Sequence, residues 1–180
     1  MNNRLKMATA LVFVCSTMAQ AVVVMETVPV GNLGNTGDVQ PQGTFGAVEY
    51  AYNIGKYEVT AGQYRDFLNA VDPTGLNSLG LYNSNMVDSA WGSQITWNAG
   101  TSTYDFSGRP SGTEADWENR PVNYISWGDA ARFSNWMHNG QGNGDTETGS
   151  YQMNGAMDQP ALLAVTREND ATWVVPTEDE

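Results

Sequence analysis

The residues of this chain that could carry chemistry are few and far apart. In 180 residues there is one cysteine, Cys15, and one histidine, His138. Cys15 lies inside an apolar run that follows Arg4 and Lys6 and gives way to Ala19-Gln20-Ala21. A positive stretch, a short apolar stretch and a small-residue site in that order form the pattern of a secretory leader, with cleavage expected after Ala21. The run is shorter than the roughly 20 apolar residues that span a bilayer. Val14 precedes Cys15 where a lipidated cysteine would require a small neighbour, so a lipid anchor is not expected. Once the leader is removed no thiol remains. That takes disulfides, thiolate metal sites and cysteine nucleophiles out of residues 22–180.

His138 stands where a helix is expected to end, a position that favours a cation. With no second histidine to share a metal or a proton, its expected role is helix capping or a plain surface position. No serine sits in a nucleophile-elbow pattern. Glu114, Asp116 and Glu118 alternate around Trp117 and read as a solvated edge, because paired catalytic carboxylates need a pocket to separate their roles. The stretch from Asn139 to Ser150 echoes a calcium loop, with Gly144 at the turn and Asp145 and Glu147 beyond it. Ser150 stands where the bidentate glutamate belongs and no second helix follows, so a flexible acidic loop is the expectation. From types and spacing alone, no catalytic, cofactor-binding or metal-ligating residue is expected.

Two helices are well marked. Thr60 with Gln63 three residues on makes a capping box, followed by Tyr64, Phe67, Leu68 and Val71 on one stripe and by Asp72-Pro73 as the stop. Ser126 with Asp129 opens the second, with Ala130, Phe133 and Met137 on a stripe, Trp136 beside it, and Asn139-Gly140 as the left-handed end. Upstream, weak alternation over Gly46 to Tyr57 suits a strand, and residues 22–49 read as an N-terminal arm of short extended pieces joined by Gly/Asn turns. Between the helices, Ile95–Trp97 and Thr103–Phe106 read as the arms of a hairpin closed by Asn98-Ala99-Gly100. Tyr82, Trp91, Trp97, Tyr104, Phe106 and Trp117 are expected to anchor this irregular region to the core rather than to form a stacking platform. At Pro176-Thr177-Glu178-Asp179-Glu180 the capping grammar recurs, which reads as a helix start and gives the expectation that the sequence is a fragment.

Of 8 basic and 20 acidic residues, Arg4 and Lys6 belong to the leader, so residues 22–180 keep 6 basic residues and a net charge of −14. Nucleic acid and anionic membrane surfaces are disfavoured partners, since like charges repel. The remaining 159 residues suit one domain.

Three blocks, in order, carry a resemblance. Gly55-Lys56-Tyr57-Glu58-Val59-Thr60 with Tyr64 and Phe67 is the first. Pro121-Val122, Ser126-Trp127, Asp129-Ala130, Phe133 and Trp136 make the second, and Pro176-Thr177-Glu178 with Glu180 the third. Together they resemble the first part of a formylglycine-generating-enzyme (sulfatase-modifying factor) domain over residues 50–180. Phe67-Leu68-Asn69-Ala70-Val71 and Met137-His138-Asn139-Gly140 are similar to phrases of its secreted bacterial members. The resemblance implies an irregular α+β fold related to the C-type lectin fold and truncated at its C-terminus. In the enzymes it implies oxidation of a sulfatase cysteine by a copper-binding cysteine pair near the end of the domain, with calcium sites in the same later half. No residue here matches that pair. The expectation is therefore an extracytoplasmic, non-catalytic domain that binds a protein or carbohydrate, or serves assembly. The alternative is a fragment of a formylglycine-generating oxidase whose cysteine pair lies past Glu180.

Overall fold

The computed structural model describes residues 22–88 and 90–180. The expected leader and Cys15 lie outside the described residues. Helices mix with small antiparallel sheets, which fits the α+β class.

The N-terminal arm holds three short strands: β1 (Thr27–Val30), β2 (Asp38–Gln40) and β3 (Gly43–Phe45). β2 and β3 form a hairpin. β1 instead pairs with β4 (Tyr52–Gly55), matching Val28 to Ile54 and Pro29 to Asn53. The strand expected over Gly46 to Tyr57 is thus only four residues long. Gly46 takes a positive φ of 81°, and bends stand at Gly46, Glu49 and Tyr50.

α1 (Ala61–Val71) starts where its cap dictates. Gln63 N–H donates to Thr60 Oγ1 at 3.2 Å and Thr60 N–H donates to Gln63 Oε1 at 2.9 Å. Tyr64, Phe67 and Leu68 are buried and Val71 packs half-buried against the core. Asp72 ends the helix and does more than stop it, because its carboxylate accepts from the Tyr104 hydroxyl at 2.6 Å and from Asn77 N–H at 2.9 Å. Burial first, then this bond to a carboxylate, pushes the Tyr104 hydroxyl pKa up. α2 (Asn85–Asp88) is a single turn, and the expected hairpin follows as β5 (Thr96–Asn98) and β6 (Thr103–Asp105).

The carboxylates expected as a solvated edge belong to a helix, α3 (Glu114–Glu118). Its start is another threonine box, in which Asp116 Oδ2 accepts from Thr113 N–H at 2.7 Å and from its hydroxyl at 2.8 Å. Helical geometry puts Glu114 and Glu118 on one face. Both meet Arg65, at 3.0 and 2.5 Å, which ties α3 to α1.

α4 (Trp127–His138) carries both halves of its capping box, and Gly140 follows its end with φ 81°. The stripe differs from expectation by one position: Ala131, not Ala130, is fully buried. The reason is that α4 is covered on more than one side. One side faces α1, where Phe67 lies 5.3 Å, centroid to centroid, from both Phe133 and Trp136. Ala131 joins Tyr151 and Met153 in a second cluster with Leu162 of α5 (Gln159–Leu163), Val165 and Val174. Of the six aromatic residues expected as anchors, Tyr104, Phe106 and Trp117 are buried and Tyr82 and Trp97 pack against the core, whereas Trp91 is 84% exposed.

Candidate binding groove

A groove of about 1080 Å³ lies between the β1–β4 ribbon, α4 and the segment 167–180. Its apolar lining comes from Ile54, Val59, Phe133, Met137, Trp173 and Val174. β4 owes its place there to β1, and α4 owes its place to the aromatic contacts with α1. The sequence marks the helix, but it does not mark a groove, because that depends on how two remote segments face each other.

One end of the groove is built around Glu180. Arg167 donates to both of its carboxylate oxygens, Nη1 to Oε1 at 2.9 Å and Nη2 to Oε2 at 2.7 Å. The Tyr50 hydroxyl donates to Oε1 at 2.6 Å, and the Tyr52 hydroxyl donates to the Glu180 carbonyl oxygen. The Arg167 bonds, with Tyr50 and the Thr177 N–H assisting, lower the Glu180 carboxyl pKa to about 2 against the opposing effect of burial. Arg167 is in turn held protonated by the same pair. Thr177 N–H donates to Glu180 Oε2 at 2.9 Å and Glu180 N–H to Thr177 Oγ1 at 3.3 Å, so the expected reciprocal cap is made even though no helix spans 177–180. Nothing in the sequence around Arg167 marks it. A lone arginine in an irregular stretch carries no local signal of a partner thirteen residues away.

Lys56 on the rim is paired with Glu26 at 2.6 Å. Glu58 and Glu168 also line the groove, and neither is ion-paired with a described residue. Among the described residues, the unpaired charge that lines the groove is therefore negative.

His138 lies beside this region rather than in a constellation of its own. Its Nδ1 accepts from Thr172 N–H at 3.2 Å and lies 2.9 Å from the Thr172 hydroxyl, joining the end of α4 to the segment 167–180. The carboxylates of the acidic loop after α4 are taken up by donors of the loop itself and by Arg132. Asp145 accepts from Glu147 N–H at 2.8 Å and from the Thr148 hydroxyl at 2.6 Å, and these bonds lower its pKa. Glu147 receives Arg132 through two nitrogens, Nε at 2.6 Å and Nη2 at 3.2 Å, and Gly155 N–H at 2.6 Å. Arg132 Nη2 also donates to the Ala156 carbonyl at 2.9 Å, and only 2% of its side chain is exposed. Asn135, fully buried, donates to the carbonyls of Thr146 and Tyr151 and accepts from Tyr151 N–H. A calcium ion does not fit a loop whose carboxylates are already satisfied by arginine, hydroxyl and amide donors. Copper held by thiolates does not fit residues 22–180, which contain no cysteine.

Among the described residues, no three His, Cys, Asp or Glu side chains cluster as metal ligands. No helix among them is long and apolar enough to cross a membrane. No curated protein and no solved structure matches the chain. Residues 15–180 match the family model described as the sulfatase-modifying factor enzyme 1-like domain. That span contains all three residue blocks and the whole groove, and the chain belongs to this family.

Proposed function

We propose that residues 22–180 act outside the cytoplasm as a non-catalytic domain that binds a partner or serves assembly, on a scaffold related to the C-type lectin fold. The observation that carries this reading is the open groove of about 1080 Å³, with an apolar lining that includes Ile54, Phe133, Met137 and Trp173, in a stretch with no thiol. The polar side chains at its end are arginine, tyrosine and glutamate joined to one another, an arrangement that fixes geometry and holds no activated nucleophile. Fold alone does not bring an activity with it, because activity resides in particular side chains.

The test is incubation of the purified protein with a cysteine-containing peptide, copper, a thiol reductant and oxygen, read by mass spectrometry for conversion of cysteine to formylglycine. No conversion above the copper-only control is expected. Conversion that requires the protein would overturn the reading.

A second reading has its own support in the reciprocal bonds between Thr177 and Glu180, which are those of a helix start. On that reading these residues form part of a formylglycine-generating oxidase, with copper, calcium and the cysteine pair held by residues past Glu180. Two cysteines a few residues apart in a continuing reading frame would favour it. A continuing frame without them would favour the binding domain.

A further inference from the structure

Asparagine is followed by glycine at three places, Asn139-Gly140, Asn143-Gly144 and Asn154-Gly155. Such a pair can lose ammonia without an enzyme. The glycine backbone nitrogen gives its proton to solvent and attacks the asparagine Cγ, a five-membered imide closes, and Nδ2 takes up a proton and leaves as ammonia. Glycine permits the approach because it has no Cβ and its backbone turns freely. A folded chain prevents the reaction by tying the side-chain amide elsewhere or by holding the glycine N–H on a strong acceptor. Asn139 is protected in the first way, since its Nδ2 donates to the carbonyls of Asp145 and Thr148, both at 2.8 Å. Asn154 is protected in the second, since Gly155 N–H donates to the Glu147 carboxylate at 2.6 Å. Asn143 is exposed, and its side chain makes no hydrogen bond with a described residue. Gly144 N–H has only the Gln141 carbonyl at 3.1 Å, and a bond to a neutral carbonyl is roughly half as strong as one to a carboxylate.

The turn at Asn143 also holds the arm. Gly142, with φ 64°, gives its carbonyl to Trp136 Nε1 at 2.8 Å. The Gln141 side chain grips both backbone groups of Val23, accepting from its N–H at 2.7 Å and donating to its carbonyl at 2.8 Å. A Cβ at position 144 would stand 2.9 Å from the Gln141 carbonyl oxygen, so the turn itself demands the glycine that makes Asn143 reactive. We propose that Asn143 is a self-modifying site, where loss of ammonia loosens the N-terminal arm. Water opens the imide in two ways. Addition at Cγ breaks the new Cγ–N bond and leaves aspartate. Addition at the main-chain carbonyl breaks the original peptide bond and leaves isoaspartate, whose chain runs through Cβ and Cγ and is one carbon longer. Water enters, ammonia leaves, and nothing is oxidised or reduced. The longer chain carries Gly144 N–H away from the Gln141 carbonyl and opens the turn. Gln141 then loses its hold on Val23, and with it on the arm whose Met25 and Thr27 line the groove. The site stands independently of the binding role proposed above.

The test ages the purified protein in warm, mildly alkaline buffer and maps its peptides by mass spectrometry, which locates each amide that has become an acid and separates isoaspartate from aspartate by retention. Asn143 should convert at least about tenfold faster than Asn139 or Asn154, the equivalent of one to two hydrogen bonds. In urea, where no fold discriminates among them, the three rates should converge. Hydrogen exchange of residues 23–30 then reads the arm, and in the isoaspartate fraction it should be about tenfold faster than in fresh protein. Asn143→Asp carries the new charge without the longer chain and should keep the slow exchange. Asn143→Gln, whose longer side chain closes no five-membered ring, should keep it on ageing. Equal conversion of Asn139 or Asn154 in the folded protein overturns the assignment. So does an isoaspartate fraction whose arm exchanges no faster than that of fresh protein, or an Asn143→Asp variant whose arm exchanges as fast. The ageing experiment uses the unaltered protein, so its result does not depend on any variant folding.

Discussion

Replacing Glu180 by glutamine would keep the shape of the side chain and remove its charge, which isolates what the cluster at the groove's end contributes to stability. In the folded protein the Glu180 carboxyl pKa lies at about 2, against an ordinary value of 4.5. A depressed carboxyl pKa means that the folded state favours the ionised form, so the stabilisation is complete above about pH 4.5 and is lost as the pH falls through about 2. At about 1.4 kcal/mol per pKa unit, that difference corresponds to about 3 kcal/mol at most. The Glu180 side chain is 5% exposed but Arg167 is 29% exposed, and solvent screening at the arginine brings the expectation down to about 2 kcal/mol. Urea unfolding of the parent and of Glu180→Gln at pH 7 should therefore show the variant weaker by about 2 kcal/mol with an unchanged slope. The gap should narrow below pH 4.5 and close near pH 2, where the parent carboxylate is itself protonated. Equal stability at pH 7, or a gap independent of pH, would show that the Arg167–Glu180 pair is not a structural clasp.

Three further substitutions test other parts of the fold. Arg132→Ala leaves Glu147 without its buried partner and the Ala156 carbonyl without a donor, and should cost about 3–5 kcal/mol in urea unfolding, whereas Arg132→Met should cost clearly less because it fills the space. Thr60→Ala breaks one half of the α1 capping box and should cost about 1 kcal/mol, with Thr60→Ser recovering most of it in thermal melts. Phe67→Ala removes the ring at the centre of the Tyr64–Phe133–Trp136 group and should cost about 3–5 kcal/mol, lowering the melting temperature by roughly 10 °C.

Features whose partners lie within a few residues were legible from sequence. The caps at Thr60 and Ser126, the stop at Asn139-Gly140 and the hairpin around Asn98-Ala99-Gly100 each depend on local hydrogen bonds, and each occurs where the residues place it. α3 is readable by the same rule, since Thr113 and Asp116 stand three apart like the other two boxes, but the alternation of Glu114, Asp116 and Glu118 suggests only a solvated edge. Three-residue spacing decides there because backbone amides at a helix start need acceptors, whereas exposed charges tolerate either geometry. The groove was not legible. Its walls join residues near 54, near 135 and near 173, and its charged end needs Arg167 to find Glu180 and Tyr50 at once. Such meetings are settled by packing of the whole domain, not by any local pattern. Arg132 is likewise illegible from sequence, because a buried arginine becomes intelligible only once Glu147 folds back on it.

The start of the arm is held in a way that bears on how the protein assembles over time. Val23 N–H donates to Gln141 Oε1 at 2.7 Å and Gln141 Nε2 returns a bond to the Val23 carbonyl at 2.8 Å, while Gln63, already capping α1, reaches Val24. The ribosome emits Val23 118 residues before Gln141, a lag of about 6–24 s at ordinary rates of synthesis. Throughout that interval the arm has at most one of its two anchors, and β1 can pair with β4 without being locked against α4. Closing so long a loop is slow and follows the local helices. Protease protection of the arm on stalled nascent chains should accordingly appear only after residue 141 has cleared the exit tunnel, so the first part of the protein to be made is among the last to be secured.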